Sequence, residues 1–160
     1  METSRSELNL QVVRLLSLAV STSGQSTAQI AQRAGLKWDT VRRTLNGKRS
    51  ATVLEIVAIL EAAGFQADET IRLMLLVDGE FAASRARSDV GRFLNELLSR
   101  SPREIIAQLG EDIQELRPRW ANGTAKLLAR TLQQHVSELN RRGDSIEEQF
   151  LSRVGFTHGK

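Results

Sequence analysis

Residues 25–49, QSTAQIAQRAGLKWDTVRRTLNGKR, contain two short helical patterns on either side of one glycine, Gly35. An alanine-rich pattern predicts a helix over about residues 27–34, with a serine or a threonine available as its N-cap. Gly35 supplies the positive φ that ends this helix, and a second helix is predicted over about residues 38–45. The stretch is therefore either a helix-turn-helix that reads DNA or two core helices joined by a tight turn.

The composition favours helix throughout the chain. The 160 residues include two prolines, five phenylalanines and no tyrosine, and 41% of them are hydrophobic. Leu, Ala, Arg, Glu and Gln are abundant, whereas runs of β-branched or aromatic residues, which would form strands, are few. We therefore expect an all-α protein with a hydrophobic core.

Helical periodicity divides the chain into a head and a tail. Helices predicted over about residues 7–20 and 52–63 flank the two helices of the quoted stretch. Together they would form a DNA-binding head of four or five helices, residues 1–66. Residues 67–160 would then form a helical C-terminal region.

Three local signals organise the C-terminal region. Residues 80–88 are ambiguous between a helix and a connecting arm. Residues 101–104, SPRE, combine an N-cap serine, a proline at the first helical position and a glutamate at the third, which predicts the start of a helix. A long helix is predicted from about Gly123 to Arg141, with Gly143 ending it and a last helix following.

The sequence carries no pattern typical of a membrane anchor, a metal site or an enzyme. No apolar run approaches the roughly 20 residues that a membrane-spanning helix needs, and the polar N-terminus does not resemble a leader. The absence of cysteine excludes thiolate sites and fits a reducing cytosol, and no nucleophile elbow or phosphate-binding glycine loop occurs. We expect a cytoplasmic protein that is not an enzyme and uses no cofactor or metal.

The positive charge is concentrated in the quoted stretch. The whole net charge of +3 falls within residues 1–66. Asp39 is the single acid among residues 33–49, and the basic residues there are Arg33, Lys37, Arg42, Arg43, Lys48 and Arg49. A footprint for DNA phosphates has this form, although a solvated helix face would have it too.

The second helix of the quoted stretch has two different faces. A helix that lies in a major groove must turn small or apolar residues inward and polar residues outward. Leu36, Val41 and Leu45 are expected to face inward. The outward set is Lys37, Trp38, Asp39, Arg42 and Arg43, with Thr40 at its margin. This division favours a DNA-reading motif.

The residues from Ala31 to Arg49 follow the spacing A-x3-G-L-x4-V-x-R-x-L-N-G-K-R, and an amphipathic helix that ends at Gly64 comes next. This pattern resembles the Xre-type helix-turn-helix family, which includes the lambda-like phage repressors and Cro proteins. The resemblance covers about residues 5–66 and implies a lambda-repressor-like head that binds double-stranded DNA. It also implies a homodimeric transcriptional repressor of bacterial or phage origin on a palindromic operator, because one small head contacts few bases and phosphates.

The resemblance implies roles for individual residues. Those at its base-reading positions are Lys37, Trp38, Asp39, Thr40 and Arg43. Those at its phosphate-binding positions are Thr27, Gln29, Arg42, Asn46, Lys48 and Arg49. Arg43 is the foremost of the base readers, because a guanidinium group can pair with both acceptors of a guanine for about 1–3 kcal/mol of discrimination.

Three positions depart from the family pattern. Lys37 stands where a serine or threonine usually caps the second helix, so Asp39 either caps that helix or reads a base. Trp38 either contacts DNA or covers the core between the helices. Thr44 stands where an aliphatic residue is common, so Leu45 is expected to take more of the core contact.

A leucine-rich stripe is the main feature of the C-terminal region. Its members, near heptad spacing, are Leu128, Leu132, Val136 and Leu139. The stripe forms either the seam of a homodimer or the internal core of this region. A second function therefore stays open, that of an antitoxin-like protein whose C-terminal region binds a partner protein while the head represses its own operon.

Overall fold

The structure is a computed structural model that describes residues 2–154, with the side chains of residues 6–142. Over residues 2–154 the chain forms eight α-helices and two short 3-10 helices, without a strand. The α-helices are α1 Glu2–Thr22, α2 Thr27–Arg33, α3 Trp38–Leu45, α4 Val53–Ala62, α5 Ala67–Leu76, α6 Gly79–Arg85, α7 Asp89–Leu109 and α8 Ala121–Val154. The 3-10 helices are Gly110–Glu115 and Pro118–Trp120. The prediction of an all-α protein is confirmed.

The chain divides into two units, the first ending at Ala107 and the second beginning at Gln108. The first unit extends past residue 66, because α6 packs along α1 and also against α5. Residues 1–66 are therefore part of a larger packed unit. That they alone carry the DNA-binding function stays a prediction.

Each helix from α1 to α6 contributes to one hydrophobic core in the first unit. The central side chains, each less than 2% exposed, are Leu15, Leu16, Ile30, Val41, Ile59, Leu60 and Leu73. Removing a leucine or isoleucine side chain of this size from water is worth about 1.5–3 kcal/mol. Ile30 of α2 and Val41 of α3 belong to this core, and through it α2 packs against α4 while α3 packs against α1.

The crossing of α1 and α6 requires a glycine. A Cβ atom added to Gly79 would lie 2.3 Å from the backbone oxygen of Gln11. The backbone N–H of Gly79 donates to Oε1 of Gln11 at 2.9 Å, and the Asp78 side chain caps α6 by accepting from the N–H of Phe81 at 2.7 Å. Of residues 80–88, whose sequence is ambiguous between helix and arm, residues 80–85 are helical in α6 and residues 86–88 form a turn.

Two predicted helix boundaries in the later part of the chain are wrong. The helix expected to start at Ser101-Pro102 is the second half of α7, which runs unbroken through Pro102. An interior proline costs about 3 kcal/mol, through a lost backbone hydrogen bond and a clash with the preceding turn, and the other backbone hydrogen bonds of the 21-residue helix maintain it despite this cost. Gly143 does not end α8, which continues to Val154, because a glycine inside a helix costs only about 1 kcal/mol relative to alanine.

None of the helices in the described range is both long enough and apolar enough to cross a membrane.

Candidate nucleic-acid interface

The turn between α2 and α3 has the geometry of a tight helix-turn-helix. Gly35 has a φ of +66°, and the N–H of Leu36 donates back to the carbonyl oxygen of Ala31 at 2.9 Å. Ala31 is 2% exposed, and its small side chain lets the two helices approach closely. The predicted helix, glycine turn and second helix occur where they were expected.

The buried side of α3 differs from the prediction at one position. Val41 and Thr44 are almost fully buried, whereas Leu45 is only partly buried. Positions 41 and 44 lie one turn apart on the same face, so Thr44 is buried beside Val41, while Leu45 packs against the edge of the core. The Thr44 hydroxyl accepts a long hydrogen bond from Nη1 of Arg49 at 3.5 Å, which satisfies this buried polar group.

The opposite side of α3 faces solvent. The exposed residues there and at its N-terminus are Lys37, Trp38, Asp39, Arg42 and Arg43, while Thr40 is partly buried at the margin. Trp38 is 50% exposed and is not part of the hydrophobic core of the described residues. Its indole ring instead lies under the guanidinium group of Arg42, whose Cζ is 4.8 Å from the ring centroid. Trp38 is therefore not a buried core residue, and its contact with DNA stays a prediction.

Asp39 forms ion pairs rather than a cap. Its Oδ1 lies 3.0 Å from Nη2 of Arg42, and its Oδ2 lies 4.0 Å from Nη1 of Arg43. Lys37 is the N-cap residue of α3, and none of the described side chains makes a cap hydrogen bond there. One carboxylate therefore interacts with both arginines of the outward face.

The start of α2 is held by a reciprocal capping box. The hydroxyl of Ser26 accepts from the backbone N–H of Gln29 at 3.3 Å, and Oε1 of Gln29 accepts from the backbone N–H of Ser26 at 2.8 Å. Thr27, partly buried, begins the helix within this box. The two predicted phosphate contacts, Thr27 and Gln29, thus lie together at a helix N-terminus, where the helix dipole favours an anion.

Three residues after α3 are predicted to bind phosphates. Two of them are exposed, and the third forms an ion pair within the protein. Asn46 and Lys48 are exposed. The guanidinium group of Arg49 binds both carboxylate oxygens of Glu55, with distances of 2.7 and 3.0 Å. About a third of the Arg49 side chain remains exposed. Its role in phosphate binding stays a prediction, and its contact with Glu55 is a further role that the sequence interpretation missed.

The signal for this missed contact is present in the sequence. Thr52 and Glu55 have the T-x-x-E spacing of a capping box, and both halves of the box form at the start of α4. The box places the Glu55 carboxylate at the helix N-terminus, within reach of Arg49. The ion pair therefore fastens the loop after α3 to α4.

Two long-range hydrogen bonds also position the motif, and no local sequence pattern indicates them. The Ser17 hydroxyl donates to the carbonyl oxygen of Leu45 at 3.1 Å, which ties α1 to the end of α3. Nε2 of Gln25 donates to the carbonyl oxygen of Ala62 at 3.1 Å, and its Oε1 accepts from Arg33 at 2.8 Å. These bonds orient both ends of the motif relative to α1 and α4.

The Glu55 carboxylate makes the head sensitive to acid. The hydrogen bond from Arg49 holds the pKa of Glu55 below its usual range; burial opposes this effect, and the Thr52 N–H reinforces it. A pKa that is lower in the folded state stabilises the fold above the unfolded pKa of about 4.3, and this contribution is lost as the pH falls through the folded value. Lowering the pH from 6 to about 3 should therefore reduce the free energy of unfolding less in Glu55→Gln than in the wild type, as measured by urea unfolding at the two pH values.

Arg49→Gln provides the matched control for this prediction. It removes the other partner of the same ion pair. Like Glu55→Gln, it should make the difference in unfolding free energy between pH 6 and pH 3 smaller than in the wild type. If both variants keep the wild-type difference between the two pH values, the Arg49–Glu55 contact does not contribute to acid sensitivity.

The leucine-rich stripe lies along one face of α8. Leu128, Val136 and Leu139 are exposed and Leu132 is partly buried. Among the described side chains of residues 108–142, none is buried, so the stripe does not pack into a core formed by these residues. The 34 residues of α8 span about 51 Å at 1.5 Å per residue. A long helix with an uncovered apolar stripe usually depends on a partner for stability.

Comparison of the chain with models of known protein families, with curated proteins and with solved structures gives no match. Among the described residues, no group of three or more His, Asp or Glu side chains is placed to hold a metal ion.

Proposed function

We propose that this chain is a cytoplasmic transcriptional regulator that binds double-stranded DNA at specific sequences and represses promoters by occupying them. The observation that supports this most strongly is the two-sided character of α3. Val41 and Thr44 are buried on one side, while Arg42 and Arg43 lie on an exposed opposite side. A short helix held this way by α2 and Gly35 matches the requirement for insertion into a major groove.

The exposed groups divide naturally into base and phosphate contacts. Arg43 is proposed to pair with a guanine, and Lys37, Trp38 and Thr40 to face neighbouring base edges or thymine methyl groups. Phosphates on either side would be bound by the remaining groups, namely Thr27 and Gln29 at the start of α2, Arg42 on α3, and Asn46, Lys48 and the exposed part of Arg49 after α3. Binding should therefore depend on both base sequence and salt concentration.

The stripe on α8 supports a homodimer. A second copy of the same helix could cover the exposed side chains of Leu128, Val136 and Leu139 with an identical apolar surface. Pairing two copies would also present two α3 helices to DNA. Such a dimer would bind a site made of two inverted half-sites.

Selection of DNA sites from a random duplex pool tests the proposed function. The full chain is used to capture duplexes through several rounds at a fixed salt concentration, and the enriched sequences are then measured individually. Enrichment of a shared site, with inverted symmetry, is the expected result. Equal affinity for enriched and unselected duplexes would contradict sequence-specific binding.

Leu132→Asp should convert the dimer to a monomer. Placing a carboxylate at the centre of the stripe in both copies would bury two like charges, which an apolar seam does not tolerate. Sedimentation should show the mass falling from two chains to one, and affinity for the symmetric site should fall by at least about 10-fold, because each half-site is then bound separately.

Leu127→Asp is the control, since Leu127 is an exposed leucine of α8 that lies off the stripe. It should leave the dimer intact. A Leu132→Asp variant that stays dimeric at the same concentration would rule out the stripe as the seam.

The same stripe supports a second candidate function. If the wild-type chain is a monomer by sedimentation, a different protein would be the partner that covers Leu128, Val136 and Leu139. The chain would then be an antitoxin-like protein that neutralises this partner through α8 and represses its own operon through α3. A stable complex with the product of the adjacent gene, lost in Leu132→Asp, would support this function.

A further inference from the structure

One carboxylate on the exposed face of α3 interacts with two guanidinium groups. Asp39 lies 3.0 Å from Arg42 and 4.0 Å from Arg43. The spacings of three and four residues place both arginines on the same side of the helix as Asp39. An acid at the centre of a surface proposed to meet polyanionic DNA is unexpected on charge alone.

The arginine that is closer to Asp39 is held at two points. Nη2 of Arg42 contacts the carboxylate at 3.0 Å, and its guanidinium carbon lies 4.8 Å from the centroid of the Trp38 ring. Stacking on an aromatic face and pairing with a carboxylate together restrict the side chain more than either contact alone. Arg42 is therefore directed back along α3 towards Trp38.

The arginine that is farther from Asp39 is held less tightly. The 4.0 Å separation from Arg43 is longer than a hydrogen bond, so the carboxylate attracts this guanidinium group without fixing it. A guanine edge offers Arg43 two hydrogen bonds in place of this weak attraction. A row of phosphates offers Asp39 only repulsion.

Folding stability does not account for this cluster. The side chains of Asp39, Arg42 and Arg43 are each more than half exposed, and exposed ion pairs contribute little to the stability of a fold. None of the three belongs to the hydrophobic core. The arrangement is better explained by what approaches this surface.

We propose that Asp39 is a positioning residue that sets sequence specificity, not a base contact. In this proposal Asp39 holds Arg42 on Trp38 and attracts Arg43 weakly, so that the Arg43 side chain stays on the side of α3 that would face a guanine. The Asp39 charge also weakens binding to duplexes that offer phosphates without the matching base. Specificity is a difference between two affinities, and Asp39 increases this difference by lowering the affinity for the wrong site. This inference rests on the proposed function, because it requires a preferred site.

Asp39→Asn tests the inference, since it keeps the shape of the side chain and removes its charge. Affinity for an unselected duplex should rise by about 3-fold to 10-fold. The slope of log affinity against log salt concentration should become steeper by up to about 0.9, the change that one added phosphate contact would cause. Affinity for the selected site should stay equal or fall. The ratio of the two affinities should therefore fall at least several-fold. A residue with only a structural role would not move the two affinities in this way.

The first unit contains a closely matched control. Asp89 pairs with Arg92 at 2.8 Å with the same three-residue spacing, in the first turn of α7. Asp89→Asn removes the same charge outside the helix-turn-helix and should leave the affinity ratio unchanged. Asp39→Glu, which restores a carboxylate, should recover most of the ratio.

The outcomes separate the inference from the proposed function. If the wild-type chain prefers a selected site and Asp39→Asn keeps the same ratio, the role of Asp39 is overturned while the proposed function stands. An equal fall in the ratio for Asp89→Asn would overturn it too, because net charge alone would then explain the effect. If the wild-type chain shows no preferred site, both the proposed function and the role of Asp39 fail.

Discussion

Replacing Arg43 with alanine is expected to lower affinity for the selected DNA site by about 10-fold to 100-fold, which corresponds to the 1–3 kcal/mol of a bidentate arginine–guanine contact. Arg43 is exposed on the outward side of α3 and is only weakly held by Asp39 at 4.0 Å, so its guanidinium group can turn to a base edge at small cost. Affinity for unselected duplexes should fall much less. Titration of both duplexes at one salt concentration measures the two effects.

Lys48→Ala is the control for Arg43→Ala. Lys48 is exposed in the segment that follows α3, where the proposed contact is a phosphate. Its loss should weaken binding to selected and unselected duplexes by the same factor. The slope of log affinity against log salt concentration should become shallower by about 0.9. If Arg43→Ala also weakens both duplexes equally, Arg43 binds phosphate and a different residue reads the base.

Replacing Gly79 with alanine is expected to destabilise the first unit by about 3 kcal/mol, at the upper end of the usual cost of overpacking. The new Cβ would lie 2.3 Å from the Gln11 carbonyl oxygen and 3.1 Å from the Leu15 backbone nitrogen. Backbone atoms of α1 cannot turn aside as a flexible side chain can, so α6 would have to move away from α1. That movement would expose Ala82 and open the core around Leu15.

Urea unfolding measures this effect if one unit is observed at a time. The chain has two tryptophans, Trp38 in the first unit and Trp120 in the second. In a Trp120→Phe background, fluorescence therefore reports the first unit alone. The midpoint for Gly79→Ala should fall clearly below that of the background protein.

Gly123→Ala is the control for the added methyl group. No described atom lies within 4 Å of a Cβ built at Gly123 in α8. Alanine favours a helix by up to about 1 kcal/mol over glycine, so the helix content of the second unit should stay equal or rise.

A Gly79→Ala protein with an unchanged midpoint would show that α1 and α6 can separate without cost.

The α1–α6 contact also bears on the surface that we propose binds DNA. Ser17 of α1 donates to the carbonyl oxygen of Leu45 at the end of α3, and Gln11, two turns earlier, binds the start of α6. A helix outside residues 1–66 therefore supports the helix that positions α3. This contact is the physical reason that the packed unit is larger than the stretch that resembles a helix-turn-helix family.

The helices nearest the proposed interface were the most predictable from sequence. The bounds of α3 agree with the expected residues 38–45, because the signals are local: a positive-φ glycine before the helix and Asn46-Gly47 after it. The later boundaries at Pro102 and Gly143 were not predictable in the same way. Gly143 is only a weak local preference against helix, and the larger local penalty of Pro102 is overridden by the cooperative hydrogen bonding of the long helix that contains it.

The sequence by itself determined the all-α class, the α2–Gly35–α3 hairpin and the set of polar residues that α3 exposes, because helical periodicity and turn residues act over a few neighbouring positions. Only the tertiary structure decided how those residues are engaged. It buried Thr44 in addition to the partly buried Leu45, and it placed Arg49 on Glu55 and Asp39 between two arginines. The burial of Thr44 depends on helices brought together by the shared core. The two ion-pair contacts join residues whose spacing allows them, but the side-chain rotamers that form them are not specified by spacing alone.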